Sequence, residues 1–401
     1  YNRIQEVKFV KKVFILFLSL LVCACNKNDV FIKEEKDYEF SFNQDTFNVY
    51  DEVYLKDLID DENIEVVDKD EMLNTDDVGD KEIILKYMHD KKTYKKSFSY
   101  KVIDGVAPVL ISIPSSQTIT VGSEYNPCDK AVFVDNYDRT PTCSIEGDYD
   151  LNKVGTYSLK YIIKDSSDNI VTRSLSIQVK EKTNTTVPST TPTKPTEKKN
   201  YDFKDSIEKF KNDNTLIGID VSRYQGDIDF EKVKNAGCEF VMMRIGVQAG
   251  AKKDVSIDSY YLQNIENAKK AGLKVGVYLY STAINNDIAK KQAEWVIDTL
   301  NGVDLDFPIA FDWENWQYIR EYNISLHDLT EAYKTFATYI ENNGYKAMLY
   351  GSKYYLENMW KINNTTTWLA HYTEKTNYSG KYIMWQHSQI GKIDGITGDV
   401  D

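Results

Sequence analysis

The sequence predicts a multidomain chain with β-sandwich modules in its N-terminal half and an α/β barrel in its C-terminal half. Three observations carry that prediction. The length, 401 residues, exceeds a single domain of about 100–200 residues. Two segments, ending near residues 105 and 181, repeat a pattern of turn, strand, polar turn and strand. From about residue 216 onward, short apolar strands alternate with amphipathic helical runs.

Composition narrows the function. The hydrophobic fraction, 42%, is that of ordinary globular proteins, so sizeable cores can form. The net charge of −13 disfavours nucleic acid and other polyanions as partners. The 29 Tyr and 6 Trp supply flat apolar faces with a polar edge, suited to stacking on sugar rings, although most of the tyrosines fill strands and surfaces.

Residues 1–25 read as a targeting segment. Lys8, Lys11 and Lys12 precede an apolar run from Val13 to Val22, which is short for a bilayer span. The run ends in Leu21-Val22-Cys23-Ala24-Cys25, which resembles a bacterial lipobox. That resemblance implies lipidation of Cys25 and attachment to the bacterial membrane at the cell surface. Cleavage after Ala24 and secretion is the alternative. The chain begins with Tyr1 and stops at Asp401, so truncation at both ends is expected.

Three further cysteines follow. Cys128 and Cys143 share one segment, and export permits a disulfide, but spacing alone leaves their pairing open. Cys238 precedes a buried strand and reads as a small core residue. The four His, at 89, 327, 371 and 387, show no metal-ligand spacing, and no CxxC occurs. No metal or cofactor is expected on that basis.

Residues 26–105 and 106–181 are read as β-rich modules. Val78-Gly79-Asp80-Lys81-Glu82-Ile83-Ile84-Leu85-Lys86-Tyr87 in the first parallels Val154-Gly155-Thr156-Tyr157-Ser158-Leu159-Lys160-Tyr161-Ile162-Ile163 in the second. Ser174-Leu175-Ser176-Ile177-Gln178-Val179 alternates with period 2, as a half-buried strand does. Strands at regular spacing with turns between them imply small sandwiches. Both segments resemble bacterial Ig-like surface modules, the second more closely, and neither carries a catalytic constellation. Residues 182–200 are Thr/Pro-rich and read as an extended linker.

Residues 201–401 are read as the catalytic domain. Strands are expected at 216–219, 240–245, 274–280, 307–311, 346–350, 367–370 and 383–386. Helices are expected at 230–236, 260–271, 286–300 and 326–342, the last stopped near Gly344. This alternation implies a parallel sheet, and eight strands would close a TIM-like barrel. An open doubly wound sheet usually has a glycine-rich first turn, which Asp220-Val221-Ser222-Arg223 is not.

In parallel barrels the chemistry lies at the C-terminal strand ends. Here those ends carry Asp220, then Asp312 and Glu314, and finally Asp401. Asp312 and Glu314, two apart on a strand, point to one face. Two adjacent carboxylates cannot both ionise freely, so one keeps its proton. A proton donor beside a stabilising anion is the pair that glycosidic cleavage needs.

At these residues the sequence resembles the glycoside hydrolase family 25 lysozymes. The matching pieces include Gly218-Ile219-Asp220-Val221-Ser222 with Gln225-Gly226, Ile228-Asp229-Phe230, Phe240-Val241 with Arg244, Asp258 with Tyr261 and Asn264, Ala271-Gly272-Leu273, Asp312 with Glu314, Trp385-Gln386 and the closing Val400-Asp401. The resemblance implies hydrolysis of the β-1,4 bond between N-acetylmuramic acid and N-acetylglucosamine in peptidoglycan; a monomer is expected, though nothing in the sequence fixes the oligomeric state. The resemblance also implies Glu314 as general acid and Asp312 as the residue that orients the 2-acetamido group or stabilises positive charge. Asp220 and Asp401 complete the acidic pocket. Tyr280, Trp313, Tyr350, Trp368, Tyr372, Trp385 and Gln386 are expected to line the substrate groove, with Arg244 supporting the pocket. Tyr224 stands where the family often has Trp. A chitinase-like hydrolase and a wall-binding protein without activity are the competing readings.

Overall fold

The computed structural model describes residues 38–182, 201–362 and 364–401. The segment read as a signal, with Cys25, and nearly all of the Thr/Pro-rich stretch lie outside the described residues. Among the described residues no helix is long and apolar enough to cross a membrane.

The chain forms two compact units. One comprises residues up to 45, 52–74 and 81–100; the other comprises 46–51, 75–80 and 101–401. The N-terminal strands are β1 (Thr46–Asn48), β2 (Glu65–Val66), β3 (Gly79–His89) and β4 (Lys92–Ile103). They form one four-stranded sheet in the order β1-β4-β3-β2. Among the described residues of the 26–105 segment the strands make this one sheet rather than the expected sandwich. The long β3 and β4 alternate buried and exposed residues, with Leu85, Tyr87, Phe98 and Tyr100 buried.

In the other unit, six strands follow: β5 (Val109–Ser112), β6 (Ser116–Thr120), β7 (Val132–Val134), β8 (Thr142–Glu146), β9 (Gly155–Lys164) and β10 (Ile170–Lys180). They make a four-stranded sheet, β6-β10-β9-β8, and a two-stranded ribbon, β5-β7. Leu159, Tyr161 and Ile163 of β9 and Leu175, Ile177 and Val179 of β10 pack against Phe133 of the ribbon. Period-2 alternation on the hairpin thus supplies one apolar face. Cys128 and Cys143 are joined by a disulfide, while Cys238 is free and buried.

After a short β11 (Tyr201–Asp202) and α1 (Phe203–Phe210), strands and helices alternate: β12 (Gly218–Val221), α2 (Phe230–Asn235), β13 (Phe240–Gln248), β14 (Val255–Ile257), α3 (Tyr261–Lys270), β15 (Lys274–Tyr280), α4 (Asn286–Leu300) and β16 (Ile309–Asp312). Then come α5 (Ile319–Tyr322), α6 (Leu326–Asn342), β17 (Ala347–Ser352), α7 (Lys353–Asn358), β18 (Thr367–Ala370), β19 (Met384–Gln386) and β20 (Gly391–Lys392). Capping residues set the longer helices: Asn285 accepts from Ile288 N–H, and Ser325 forms a capping box with Asp328. Asn301, in the left-handed region at φ 45°, ends α4.

Seven parallel strands run in the order β12-β13-β15-β16-β17-β18-β19, with β14 antiparallel on β13. The expected eighth parallel strand is absent among the described residues, and β12 and β19 share no ladder. The sheet instead curls around an inner apolar cluster of Met242, Ala310, Met348, Tyr350, Trp368, Ala370 and Met384. Its gap is spanned by side chain and closing segment. Gln386 Nε2 donates to Asp220, and Asp220 N–H donates to the Asp401 carbonyl. Outward residues such as Val241, Met243, Val277, Leu279, Phe311, Leu349 and Leu369 pack under the helices. Each such fully buried side chain contributes roughly 1.5–3 kcal/mol.

The Ig-like segment sits against this domain within the same unit. Arg139 donates to both carboxylate oxygens of Asp328 at 2.7 Å each. Arg320 donates to the carbonyls of Cys128 (3.0 Å) and Ala131 (2.7 Å) and lies 4.4 Å above the Phe133 ring. Tyr354 Oη donates to the Leu110 carbonyl at 2.8 Å.

Candidate active site

Alternation along the parallel strands sends every second side chain into the curl. The deeper inner positions are the apolar cluster. The positions nearer the C-terminal ends are polar. Asp220 on β12, Arg244 on β13, Tyr278 and Tyr280 on β15, Asp312 on β16, Tyr350 on β17 and Gln386 on β19 line one cleft, together with Glu314 and Asp401. The cleft encloses about 710 Å³ including its open mouth, and Trp368 lies on its floor. All four predicted acids therefore meet at one rim.

Local structure explains each position. Asp312 ends β16 and is buried. Trp313 turns to the opposite face, and Glu314 returns to the cleft. A register shift between Arg244 and Gly246 marks a bulge at the rim of β13. Asp401 is placed by a two-way bridge: Gly391 N–H donates to the Val400 carbonyl at 2.8 Å, and Val400 N–H donates back at 3.0 Å. The approach needs glycine, because a Cβ at Gly391 would stand 2.8 Å from the Val400 oxygen.

The acids hold their protons more tightly than carboxyls in water. Burial, then the charges of Glu314 and Asp220, pushes Asp312 well above the ordinary range. Burial and then Asp401 raise Asp220, while the Gln386 hydrogen bond opposes the rise. Glu314 is open to solvent through the mouth but ringed by protein elsewhere; that enclosure, then the Asp401 charge, raises its carboxyl. Asp401 is pushed up to about 6, first by partial burial and then by Asp399. One carboxylate oxygen of Asp312, Oδ1, has no hydrogen-bond partner among the described residues. Protons leave such a set jointly rather than one residue at a time.

Gln386 organises one wall. Its Oε1 accepts from Tyr350 Oη (2.9 Å) and Tyr372 Oη (3.1 Å), and its Nε2 donates to Asp220 Oδ2 at 2.7 Å. Arg244 does not pair with any of the four acids. Its guanidinium meets Asp258 Oδ2 at 2.7 Å, buried, and lies 5.1 Å from the Tyr224 ring. Tyr224 is 74% exposed and lines the cleft, with the Arg223 guanidinium also 5.2 Å from its ring.

Two of the expected groove residues lie elsewhere. Trp313 is 1% exposed in the outer core, where its Nε1 donates to the Ala283 carbonyl and its ring meets Trp316 edge-on. The alternation that aims Asp312 and Glu314 inward turns Trp313 outward. Trp385, between the inner-facing Met384 and Gln386, likewise faces outward, packs on Phe210 and donates to the His371 carbonyl. Tyr280, Tyr350, Trp368, Gln386 and Arg244 line the cleft, and Tyr372 reaches it through Gln386.

Four cleft residues carried no assigned role in the sequence: Ser222, Gln225, Tyr224 and Tyr278. Ser222 and Gln225 form a capping box, a Ser-x-x-Gln spacing legible beforehand. Gln225 also donates to the Asp399 carbonyl, tying the first strand's loop to the closing segment. Asp258 was visible only as part of a matching piece. Its second task, accepting from Arg223 N–H at 3.1 Å, depends on tertiary contact.

Residues 219–396 match the model of glycosyl hydrolases family 25. Residues 111–179 match the model of the bacterial surface protein Ig-like domain. The autolytic lysozyme of Clostridium acetobutylicum is 31% identical over 189 residues, 46% of this chain and 54% of that protein. The uncharacterized protein YegX of Escherichia coli is 28% identical over 193 residues, 47% of this chain and 68% of that protein. A structure of the modular autolysin LytC from Streptococcus pneumoniae, in complex with synthetic peptidoglycan ligand, is 24% identical with a TM-score of 0.39, covering 46% of this chain and 44% of that one. The chain thus spans about half the length of the first of these relatives. The family match includes Asp220, Asp312 and Glu314 and ends before Asp401. The chain therefore carries a glycosyl hydrolase family 25 domain over residues 219–396 and a bacterial surface Ig-like domain over residues 111–179.

Proposed function

We propose that the cleft is the active site of a muramidase, which hydrolyses the β-1,4 bond between N-acetylmuramic acid and N-acetylglucosamine in peptidoglycan. The observation that carries this reading is the gathering of Asp220, Asp312, Glu314 and Asp401 at one strand-end rim. The name of the Clostridium acetobutylicum relative, an autolytic lysozyme, supports the substrate class.

Glu314 is the general acid. Like Asp401 it combines access through the mouth with a raised affinity for its proton, and it stands two residues past Asp312, just beyond the end of β16. As the bond between the sugar carbon and the leaving oxygen breaks, Glu314 gives that oxygen its proton. Asp312, behind it, orients the 2-acetamido group or faces the positive charge that develops at the sugar carbon. Asp220 and Asp401 hold the local potential negative, and Gln386 fixes Asp220. Tyr224 offers a stacking face for a sugar at the entrance. Tyr280, Tyr350 and Trp368 shape the groove.

The Ig-like domain supports action at the cell surface. The lipobox-like run supports anchoring through Cys25, with residues 106–181 as a module and 182–200 as a tether to the catalytic residues 201–401. The test is mass analysis of digests. Purified chain incubated with peptidoglycan should release fragments ending in reducing N-acetylmuramic acid, with chitin in parallel left intact. Chitin cleavage without wall cleavage would assign a different glycosidase, and wall retention without any released sugar would reject catalysis.

A further inference from the structure

A second cluster of acids lies in the Ig-like half, away from the cleft. Asp104 follows β4, Asp135 follows β7 and Asp165 follows β9, so three strand ends bring one carboxylate each to a single place. Each is at least nine-tenths buried, Asp135 completely. One oxygen from each lies within 4.8 Å of the others.

The hydrogen bonds leave some of these oxygens free. Asp135 Oδ1 accepts from the Tyr137 and Asp138 N–H groups, at 2.9 and 2.8 Å. Asp104 Oδ1 accepts from Val106 N–H at 3.3 Å. Asp165 accepts from Ser167 and Asn169 N–H and from Asn169 Nδ2. Asn136 Nδ2 donates to Asp104 Oδ1 at 3.5 Å, while Asp104 Oδ2, Asp135 Oδ2 and Asn136 Oδ1 are buried with no hydrogen-bond partner among the described residues. The charges that act on Asp135 are those of Asp104 and Asp165, which repel it. An uncompensated buried carboxylate costs several kcal/mol, and three converging ones cost more.

Oxygen donors of this kind suit a hard cation. Calcium binds carboxylates and amide carbonyls at about 2.3–2.6 Å, so two of its ligands stand no more than about 5 Å apart. We propose that Asp104, Asp135 and Asp165, with Asn136 Oδ1, form a calcium-binding site at one end of the Ig-like domain. The spacing of His and Cys gave no sign of it, because its ligands are carboxylates from three separate loops.

The site bears on the catalytic domain. The Asp135 carbonyl accepts from Leu326 N–H (2.9 Å) and the Asn136 carbonyl from His327 N–H (3.3 Å), both at the start of α6. A cation that fixes Asp135 and Asn136 therefore fixes the loop on which α6 is seated.

The experiment is calorimetry on the whole chain after EDTA treatment, with CaCl2 as the only titrant, alongside thermal melts in EDTA and in CaCl2. One saturable site and a higher melting temperature in calcium are expected. Asp135→Asn and Asp104→Asn should each weaken binding at least ~10-fold, the scale of losing one ligand or its support, while circular dichroism in EDTA matches the parent chain. The melts of the parent need no variant and stand even if a substituted chain misfolds. Absence of both heat and a melting shift at millimolar calcium overturns the site, as does undiminished binding in both variants.

Discussion

Gln386 Nε2 donates to Asp220 Oδ2 at 2.7 Å across 166 residues of chain. One amide thereby links the last parallel strand to the first, and its other end is held by two tyrosine hydroxyls. Replacing it with Ala strands the buried Asp220 carboxylate and the buried Tyr350 hydroxyl, and frees the exposed Tyr372 to bond water. Gln386→Ala should lower the unfolding free energy by about 1–3 kcal/mol, the cost of a buried unsatisfied group. Denaturant melts of both chains check this, and an unchanged midpoint would show the bridge to be idle.

Glu314 is placed to give a proton, and an amide of the same shape cannot. Glu314→Gln should reduce kcat on peptidoglycan at least ~100-fold with little change in KM. Steady-state kinetics with a soluble wall fragment separates the two constants. A loss confined to KM would reassign Glu314 to binding.

The pH profile follows from the same proton. With Glu314 as the proposed general acid its protonated form is the active one, and enclosure raises its carboxyl above the ordinary 4.5. The alkaline limb of kcat/KM should therefore lie above pH 4.5. It should vanish from the residual activity of Glu314→Gln. A limb that persists unchanged in that variant belongs to another group.

Asp312 illustrates the opposite demand of stability. A carboxyl raised in the folded state binds more protons folded than unfolded. Its contribution is most favourable at low pH and declines as pH rises from the unfolded value through the folded one. For Asp401 that window runs from 3.8 to about 6, and for Asp312 it starts at 3.8 and extends upward. Asp312→Asn should thus melt higher than the parent at pH 7 while losing activity, and its advantage should shrink toward pH 4. Melts at both pH values test the sign; a lower melting temperature at pH 7 would contradict the burial cost assigned here.

Arg320 joins the two domains through two carbonyls and one ring. Arg320→Ala should split a shared thermal transition into two, with a loss of about 1.5–3 kcal/mol for bonds to a charged donor. Differential scanning calorimetry reads this directly. A single unchanged transition would mean that the contact carries no coupling.

Much of this was legible in the sequence because it rests on periodicity. Helices expected at 286–300 and 326–342 coincide with α4 and α6, and the strand expected at 274–280 coincides with β15. Asp220, Asp312 and Glu314 were legible for the same reason, since each falls at or just past a strand end, whereas Asp401 follows only the isolated bridge of Val400 to Gly391. Sheet closure was not. It depends on which edges bond, and β12 and β19 meet through a side chain rather than a ladder. Trp313 and Trp385 were misplaced because aromatic identity outweighed the two-residue alternation that turns each away from its neighbours. Asp258 stayed without a role because its partner Arg244 is 14 positions away and meets it only in three dimensions.

The Arg320 contact also bears on how such chains can be assembled. Its guanidinium reads the backbone oxygens of Cys128 and Ala131, which every amino acid presents alike. At that point the surface opposite is freed from demands on side-chain identity beyond the Phe133 ring, whereas Asp328 still asks for an arginine in the place of Arg139. A foreign β domain grafted in place would need the same loop trace, one aromatic ring and one arginine, so shuffling of modules requires matching of shape and of two side chains.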